Sequence, residues 1–477
     1  MIAQFLLLTA LLAGPTVVAD DEAVASDIQQ IAAKLSELRG LEFRKPIEAD
    51  VIDHDELLDL LERLIRDELP DELVHEQMLV YGTLGLIDPH ADLKAIFRNL
   101  MGEQLAGVYD PKEQKLFLVS EDAGVASDED EMILAHELTH ALQDQYFDLD
   151  DLTNRERSND DRILAAACIA EGEATATMIN YVIQKEDMGP IGSFLTSKLM
   201  DLTMTNADLI LGISGAEGKD ELSRAPNLLK KQLLFPYSAG LKFVRYGVGR
   251  NNWRVMNRVY ARPPLSTEQI MHPAKYYRTA DWPTDVVMPG ITVLLPGKWH
   301  MASRMVMGEF GTKVLLEEYP APFVFPVQAA PAPASDEASQ APEAAEALPT
   351  TPALAAAGWD GDEVNVYQNH EYPDELLLIW YTTWDSEKDA EEFEQALAEW
   401  IPRRYPDSTP LEGQPQRWNV SPNYVRLERR GSDVLYIDGL HADKHDAIAA
   451  ALWEKTWKEE VQPKERAIHL PEKPADQ

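Results

Sequence analysis

Between Asp27 and Leu100 the apolar residues recur three and four apart, as in Leu57-Leu58, Leu60-Leu61 and Leu64-Ile65, with Pro70 and Pro89 as breaks. That spacing predicts a run of amphipathic helices. The period then shortens: Gly107 to Pro111 and Lys115 to Val119 have strand character around a turn, which predicts a small edge sheet of the kind that borders a cleft. Helical spacing dominates again to Tyr319. From 320 to 357 large apolar side chains thin out and Ala and Pro accumulate, with Pro331, Pro333, Pro342, Pro349 and Pro352. Such a stretch cannot support a packed core and predicts a flexible linker. Beyond it, strand-like runs at Leu376 to Tyr381 and Val434 to Ile437 alternate with helical ones at Ala390 to Trp400 and His445 to Trp457. They predict a small α+β module over 358–462, with 463–477 as a tail. Trp359, Trp380 and Trp384 are expected in its core rather than on a binding surface.

The start of the chain changes the picture of where it works. Met1 to Val18 carry no charge, contain the apolar run Phe5 to Leu12, and lead through Val17-Val18-Ala19 to Asp20-Asp21-Glu22. This is expected to be a signal peptide, residues 1–19, and the mature chain is expected to be exported, periplasmic or extracellular. An uncleaved N-terminal anchor is the alternative, because the first residues lack Lys and Arg; after cleavage no stable membrane span is expected.

Composition narrows the function. A chain of 477 residues with 45% hydrophobic content can bury a large core. Lys and Arg number 43 against 82 Asp plus Glu, a net charge of -39, which repels nucleic acid and excludes it as a partner. Cys168 is the only cysteine, so no internal disulfide forms.

The chemistry is concentrated in Ala135-His136-Glu137-Leu138-Thr139-His140-Ala141-Leu142-Gln143-Asp144. On a helix, residues four apart lie one turn apart on the same face. His136 and His140 can therefore grip one Zn2+ while Glu137 reaches a water beside it as general base. Ser127 with Asp130 offers a capping box for that helix.

A third ligand is expected from an acidic residue on a second, closely approaching helix. Ser158 and Asp161 open one, and its stretch from Ala165 to Ala174 is crowded with small side chains that let helix axes come near. Glu171 is the chosen ligand. Glu173 lies about 200° around the helix and is the fallback, since only one of the two can face the metal.

His136 to His140 with Ala141 and Asp144 resembles the active-site helix of the thermolysin family, and Glu171-Gly172-x-Ala174 resembles the third-ligand segment of the aminopeptidase N family. The chain is thus similar to the gluzincins, zinc metallopeptidases with an HExxH motif and a glutamate ligand, over about Glu131 to Met178. The run Phe235-Pro236-Tyr237 and the run from Pro264 to Pro273 also resemble a group of exported bacterial proteins, a likeness that brings no substrate with it.

The resemblance implies an α+β, mainly helical fold: a zincin-like metallopeptidase domain at 20–319 with a small edge sheet, followed by the α+β module. It implies zinc held by His136, His140 and Glu171, with Glu137 as base and a protein or peptide as substrate. Gluzincins also use a later Tyr or His to stabilise the oxyanion, and the candidates here are His272, Tyr237 and Tyr276. Where the thermolysin family has an Asp four residues after the glutamate ligand, this chain has Thr175, and Asp144 is the candidate to orient a ligand histidine instead. No Gly-x-Met-x-Asn run precedes Ser127, so endopeptidase rather than aminopeptidase action is expected. Two other readings stay open: a zinc hydrolase of a non-peptide substrate, and an exported structural or assembly protein that keeps zinc without catalysis.

Overall fold

The structure is a computed structural model that describes residues 21–104, 107–119, 128–154, 159–185, 198, 224–249, 252–318 and 351–470. The expected leader at 1–19, the proposed cap residues Ser127 and Ser158, and most of the Pro/Ala-rich run lie outside the described residues.

The N-terminal half is mainly helical. Helix α1 (Asp21–Arg39) leads to strand β1 (Glu48–Ile52), followed by α2 (His54–Glu68), α3 (Asp71–Thr83) and α4 (Leu93–Gln104). Helix α2 starts where its sequence directs: the Asp53 side chain accepts from Glu56 N at 2.8 Å, and Glu56 reaches back to Asp53 N at 3.0 Å. This reciprocal cap satisfies two donors that a helix start leaves open. Leu57, Leu60, Leu61, Leu64 and Ile65 are then buried along one face. Strands β2 (Gly107–Asp110) and β3 (Lys115–Val119) form the expected hairpin. β1 adds to it in parallel, giving the order β1-β3-β2. The helical periodicity around β1 hid this third strand, whose partner lies more than sixty residues away.

Three long helices build the centre: α5 (Asp128–Phe147), α7 (Asp160–Lys185) after the short α6 (Leu149–Asn154), and α8 (Asn227–Val248). Asn159 caps α7, accepting from Arg162 N at 3.0 Å. Ile28, Ile31 and Leu35 of α1 cluster with Leu134 and Leu138 of α5 and Leu116 of β3, so the first helix and the hairpin share a core with α5. Where α7 meets α8, Gly172 and Gly240 leave no room for a side chain: an added Cβ at Gly172 would lie 2.2 Å from the carbonyl carbon of Gly240.

Short elements follow: α9 (Arg254–Ala261), α10 (Thr267–Met271), α11 (Ala274–Tyr277), β4 (Thr284–Val287), β5 (Trp299–Met305) and α12 (Gly308–Glu318). The run from Pro264 to Pro273 joins them to α7. Asp161 at the start of α7 accepts from Thr267 N at 3.0 Å and from Thr267 Oγ1 at 2.5 Å, and Thr267 Oγ1 accepts from Phe310 N at 3.1 Å. Gly308, with φ +69°, passes so close to the Asp161 carboxylate that no side chain would fit.

The C-terminal half contains α13 (Pro352–Ala356), β6 (Trp359–Asn369), β7 (Leu376–Trp384), α14 (Glu387–Arg404), β8 (Thr409–Leu411), β9 (Gln414–Asn419), β10 (Tyr424–Arg430), β11 (Asp433–Asp438), α15 (Ala442–Lys455) and β12 (Trp457–Glu460). Seven strands make one antiparallel sheet in the order β5-β6-β7-β11-β10-β9-β8. Successive residues of a strand point to opposite faces. Leu378 and Trp380 accordingly join Phe393 and Trp400 of α14 in the core shared with the helical half, whereas Leu377, Ile379 and Tyr381 pack under Ile448 and Leu452 of α15. Trp359, Trp380 and Trp384 are buried core residues.

Two boundaries differ from those the sequence suggests. The sheet begins at β5, before the Pro/Ala-rich run, so that run falls between two elements of one unit. At its end, α13 buries Ala355 and Ala356. The expected tail also docks: Arg466 is buried and donates to the carbonyls of Tyr260, Phe147 and Asp148, while its guanidinium pairs with Asp151 at 2.9 Å.

Candidate metal site

Helix α5 presents His136 and His140 one turn apart, and α7 brings Glu171 to them. His136 Nε2 lies 3.1 Å from Glu171 Oε2 and 3.1 Å from His140 Nε2, and His140 Nε2 lies 3.5 Å from Glu171 Oε2. Atoms that share one tetrahedral ion at about 2.0–2.1 Å lie about 3.3 Å from each other. The three atoms have that spacing, all three residues are buried, and Glu171 Oε1 is buried with no hydrogen-bond partner. A group of two imidazoles and one carboxylate so arranged could hold a metal ion, and its donor set suits zinc.

The electrostatics agree with a site built for positive charge. Burial would raise the Glu171 pKa, but His140 and His136 outweigh it and lower the carboxyl below its ordinary value. Burial would depress His140, yet the Glu171 carboxylate moves it up to about 9. Each partner is thus stabilised in its charged form by the other, as a cation between them would also be.

Glu137 is buried beside the trio. Its Oε2 accepts from Tyr109 N of β2 at 2.8 Å, while Oε1 has no hydrogen-bond partner. Burial raises its pKa, and the neighbouring histidines oppose the shift. The sheet thus holds the carboxylate through one oxygen, and the other is left without a partner.

The structure separates the remaining candidates. Tyr237, in the middle of α8, stacks on His136 with ring centroids 5.9 Å apart. The Gly172–Gly240 crossing places it there, because Tyr237 lies one turn before Gly240. His272 ends α10 instead, where its Nε2 bonds Glu309 of α12 at 2.8 Å. Tyr276 donates its hydroxyl to Arg262 O at 2.5 Å and packs against Phe243 and Tyr277. Among the described residues no contact joins His272 or Tyr276 to the trio.

The hydrogen bonds of Asp144 run to groups other than His136 and His140. Asp144 accepts from Tyr109 Oη at 3.0 Å, from Gln114 Nε2 at 3.3 Å and from Leu149 N at 3.0 Å, so it ties α5 to the hairpin and to the next helix. The partner of His140 is the adjacent Gln143, whose Oε1 lies 2.9 Å from His140 Nδ1. One residue along a helix is a turn of about 100°, which carries Asp144 toward β2 and Gln143 toward α7. Glu173, the fallback ligand, pairs with Arg39 and Gln143 and makes no contact with the histidines. Cys168 is buried, and burial raises its thiol pKa far above the ordinary value.

A family model described as a domain of unknown function (DUF8575) matches residues 298–449. That span runs from the start of β5 into α15 and holds none of the metal-site residues. No curated protein and no solved structure matches the chain.

Proposed function

We propose that the chain is an exported zinc-dependent metallopeptidase of the gluzincin kind, with a zincin-like site on α5 and α7 and endopeptidase action on protein or peptide. The observation that carries this reading is the convergence of His136, His140 and Glu171 beside a buried Glu137 that keeps one carboxylate oxygen free. A purely structural ion needs no such base. Zinc, when bound, supplies Lewis acidity that acidifies a water and polarises a carbonyl.

The protein's own groups do the rest. Glu137 Oε1 accepts the proton of the attacking water and returns it to the leaving amine, and burial of the carboxyl brings its proton affinity closer to neutrality. The Tyr109 amide holds Glu137 through Oε2 during both transfers. Tyr237, stacked on His136, is the one candidate donor positioned to stabilise the developing oxyanion.

The test compares zinc content and hydrolysis of an unfolded-protein and peptide library for the mature chain, Glu137→Gln and Glu171→Ala. The native chain should hold one zinc and cut. Glu137→Gln should keep zinc and lose cutting, and Glu171→Ala should lose zinc. Zinc without cutting of any library member would move the assignment to a structural site or a non-peptide hydrolase, and absence of zinc would refute the metal site.

A further inference from the structure

The two amide hydrogens of Gln143 are both committed: Nε2 donates to Ala170 O at 3.0 Å and to Glu173 Oε2 at 3.1 Å. Its Oε1 must then face His140 Nδ1, 2.9 Å away. An oxygen there accepts only from a protonated Nδ1, so in the neutral ring that binds a metal the lone pair is on Nε2 of His140, toward His136 and Glu171. Glu173 can hold the amide in this orientation because its other oxygen is neutralised by Arg39 Nε, in a pair almost wholly removed from solvent. Arg39 is fixed in turn by Asn257 Oδ1 at 2.8 Å and lies over the Phe147 ring.

Resting on the zinc reading above, we propose that Arg39, Glu173 and Gln143 are positioning residues that set the tautomer and ring orientation of His140 as a metal ligand. The first helix, α1, is thereby part of the metal centre and not a removable lead-in. Arg39 is its last residue, 134 positions from Glu173 in sequence. A buried carboxylate without its guanidinium would turn away toward another partner. The Gln143 amide would then be free to flip and offer N–H to Nδ1, which favours the tautomer that cannot bind metal through Nε2.

The experiment measures zinc affinity by chelator competition, and the visible spectrum of the cobalt-substituted protein, for the full mature chain and for Arg39→Lys, Arg39→Gln, Glu173→Gln and Gln143→Ala. Metal-free circular dichroism melts show which variants are folded. Support orienting a metal-bound histidine typically changes metal affinity 10- to 100-fold. Folded Arg39→Gln, Glu173→Gln and Gln143→Ala should therefore bind zinc 10- to 100-fold more weakly, with a changed cobalt spectrum. Arg39→Lys should recover part of the affinity. Gln143→Ala leaves the Arg39–Glu173 pair intact and decides the matter if the Arg39 variants do not fold. Native affinity and an unchanged spectrum in folded Gln143→Ala and Glu173→Gln would overturn the positioning role while leaving the zinc reading standing. A native chain that binds no zinc would overturn both.

Discussion

Gly240 of α8 packs on the backbone of α7 so closely that a Cβ added to it would lie 2.2 Å from Cys168 O and 3.1 Å from Gly172 Cα. Backbone atoms cannot swing aside as a flexible side chain can, so the two helices must part if either glycine gains a methyl. Gly240→Ala touches none of the three proposed ligands, yet it should cost about 3 kcal/mol of stability and weaken the proposed zinc binding by shifting α7. Urea unfolding and zinc titration of the variant check this; native stability and native affinity would disprove the close crossing.

The sequence offers His272, Tyr237 and Tyr276 as oxyanion donors, and of the three Tyr237 is the one that stacks on His136. Tyr237→Phe should retain zinc and lower kcat roughly 100- to 1,000-fold, the usual cost of removing one oxyanion donor. His272→Ala should change kcat less than a few fold, because its ring nitrogen is bonded to Glu309. Steady-state kinetics on any cleaved peptide, with zinc content measured alongside, tests both at once, and the reverse ranking would exchange their roles.

His445, near the start of α15, is fully buried, with its Nε2 2.6 Å from Gly439 O. Burial lowers its pKa below the ordinary 6.5. A histidine with a lowered folded-state pKa contributes stability that is present above pH 6.5 and is lost as pH falls through that lowered value. Unfolding free energy should thus decline more steeply below pH 6.5 in the native chain than in His445→Phe. Denaturant unfolding at pH 7.5 and 5.0 compares the slopes, and equal slopes would contradict the assignment.

Arg466 satisfies three main-chain carbonyls near the ends of α5 and α9 as well as Asp151. Arg466→Ala leaves the buried carbonyls of Tyr260 and Phe147 open and should cost about 2–4 kcal/mol, since each unsatisfied buried group costs about 1–3 kcal/mol. A thermal melt of Arg466→Ala that matches the native one would show that the docked tail is dispensable.

The sequence reveals most where the chemistry is local. His136, Glu137 and His140 need only the pitch of one helix to meet, and the spacing carries that information. Glu171 needs one further condition, a neighbouring helix made of small residues, which the Ala-rich stretch displays. Gln143 was missed in favour of Asp144 because the choice between two adjacent polar residues depends on what stands opposite each, and Glu173 and Tyr109 arrive from other elements. Arg39 and β1 share that obstacle: their partners Glu173 and β3 are distant in the chain, and parallel or buried pairings leave no local pattern. The compositional break at 320 places β5 with the helical part in sequence, yet the same sheet continues on both sides of that break, because β5 pairs with β6.

The contact from Tyr109 to Glu137 comes from the main chain, so it is indifferent to which side chain occupies position 109, proline excepted. What aims the carboxylate is the alignment of Tyr109 with Leu116 in the hairpin. The same pairing sets the Tyr109 side chain, whose hydroxyl reaches Asp144. A slip of one residue between β2 and β3 would leave every side chain present and the composition unchanged, yet point Glu137 elsewhere. Turn residues Pro111 to Gln114, none of which belongs to the trio, therefore govern the aim of Glu137, and loop-length changes there should be among the most damaging edits to the molecule.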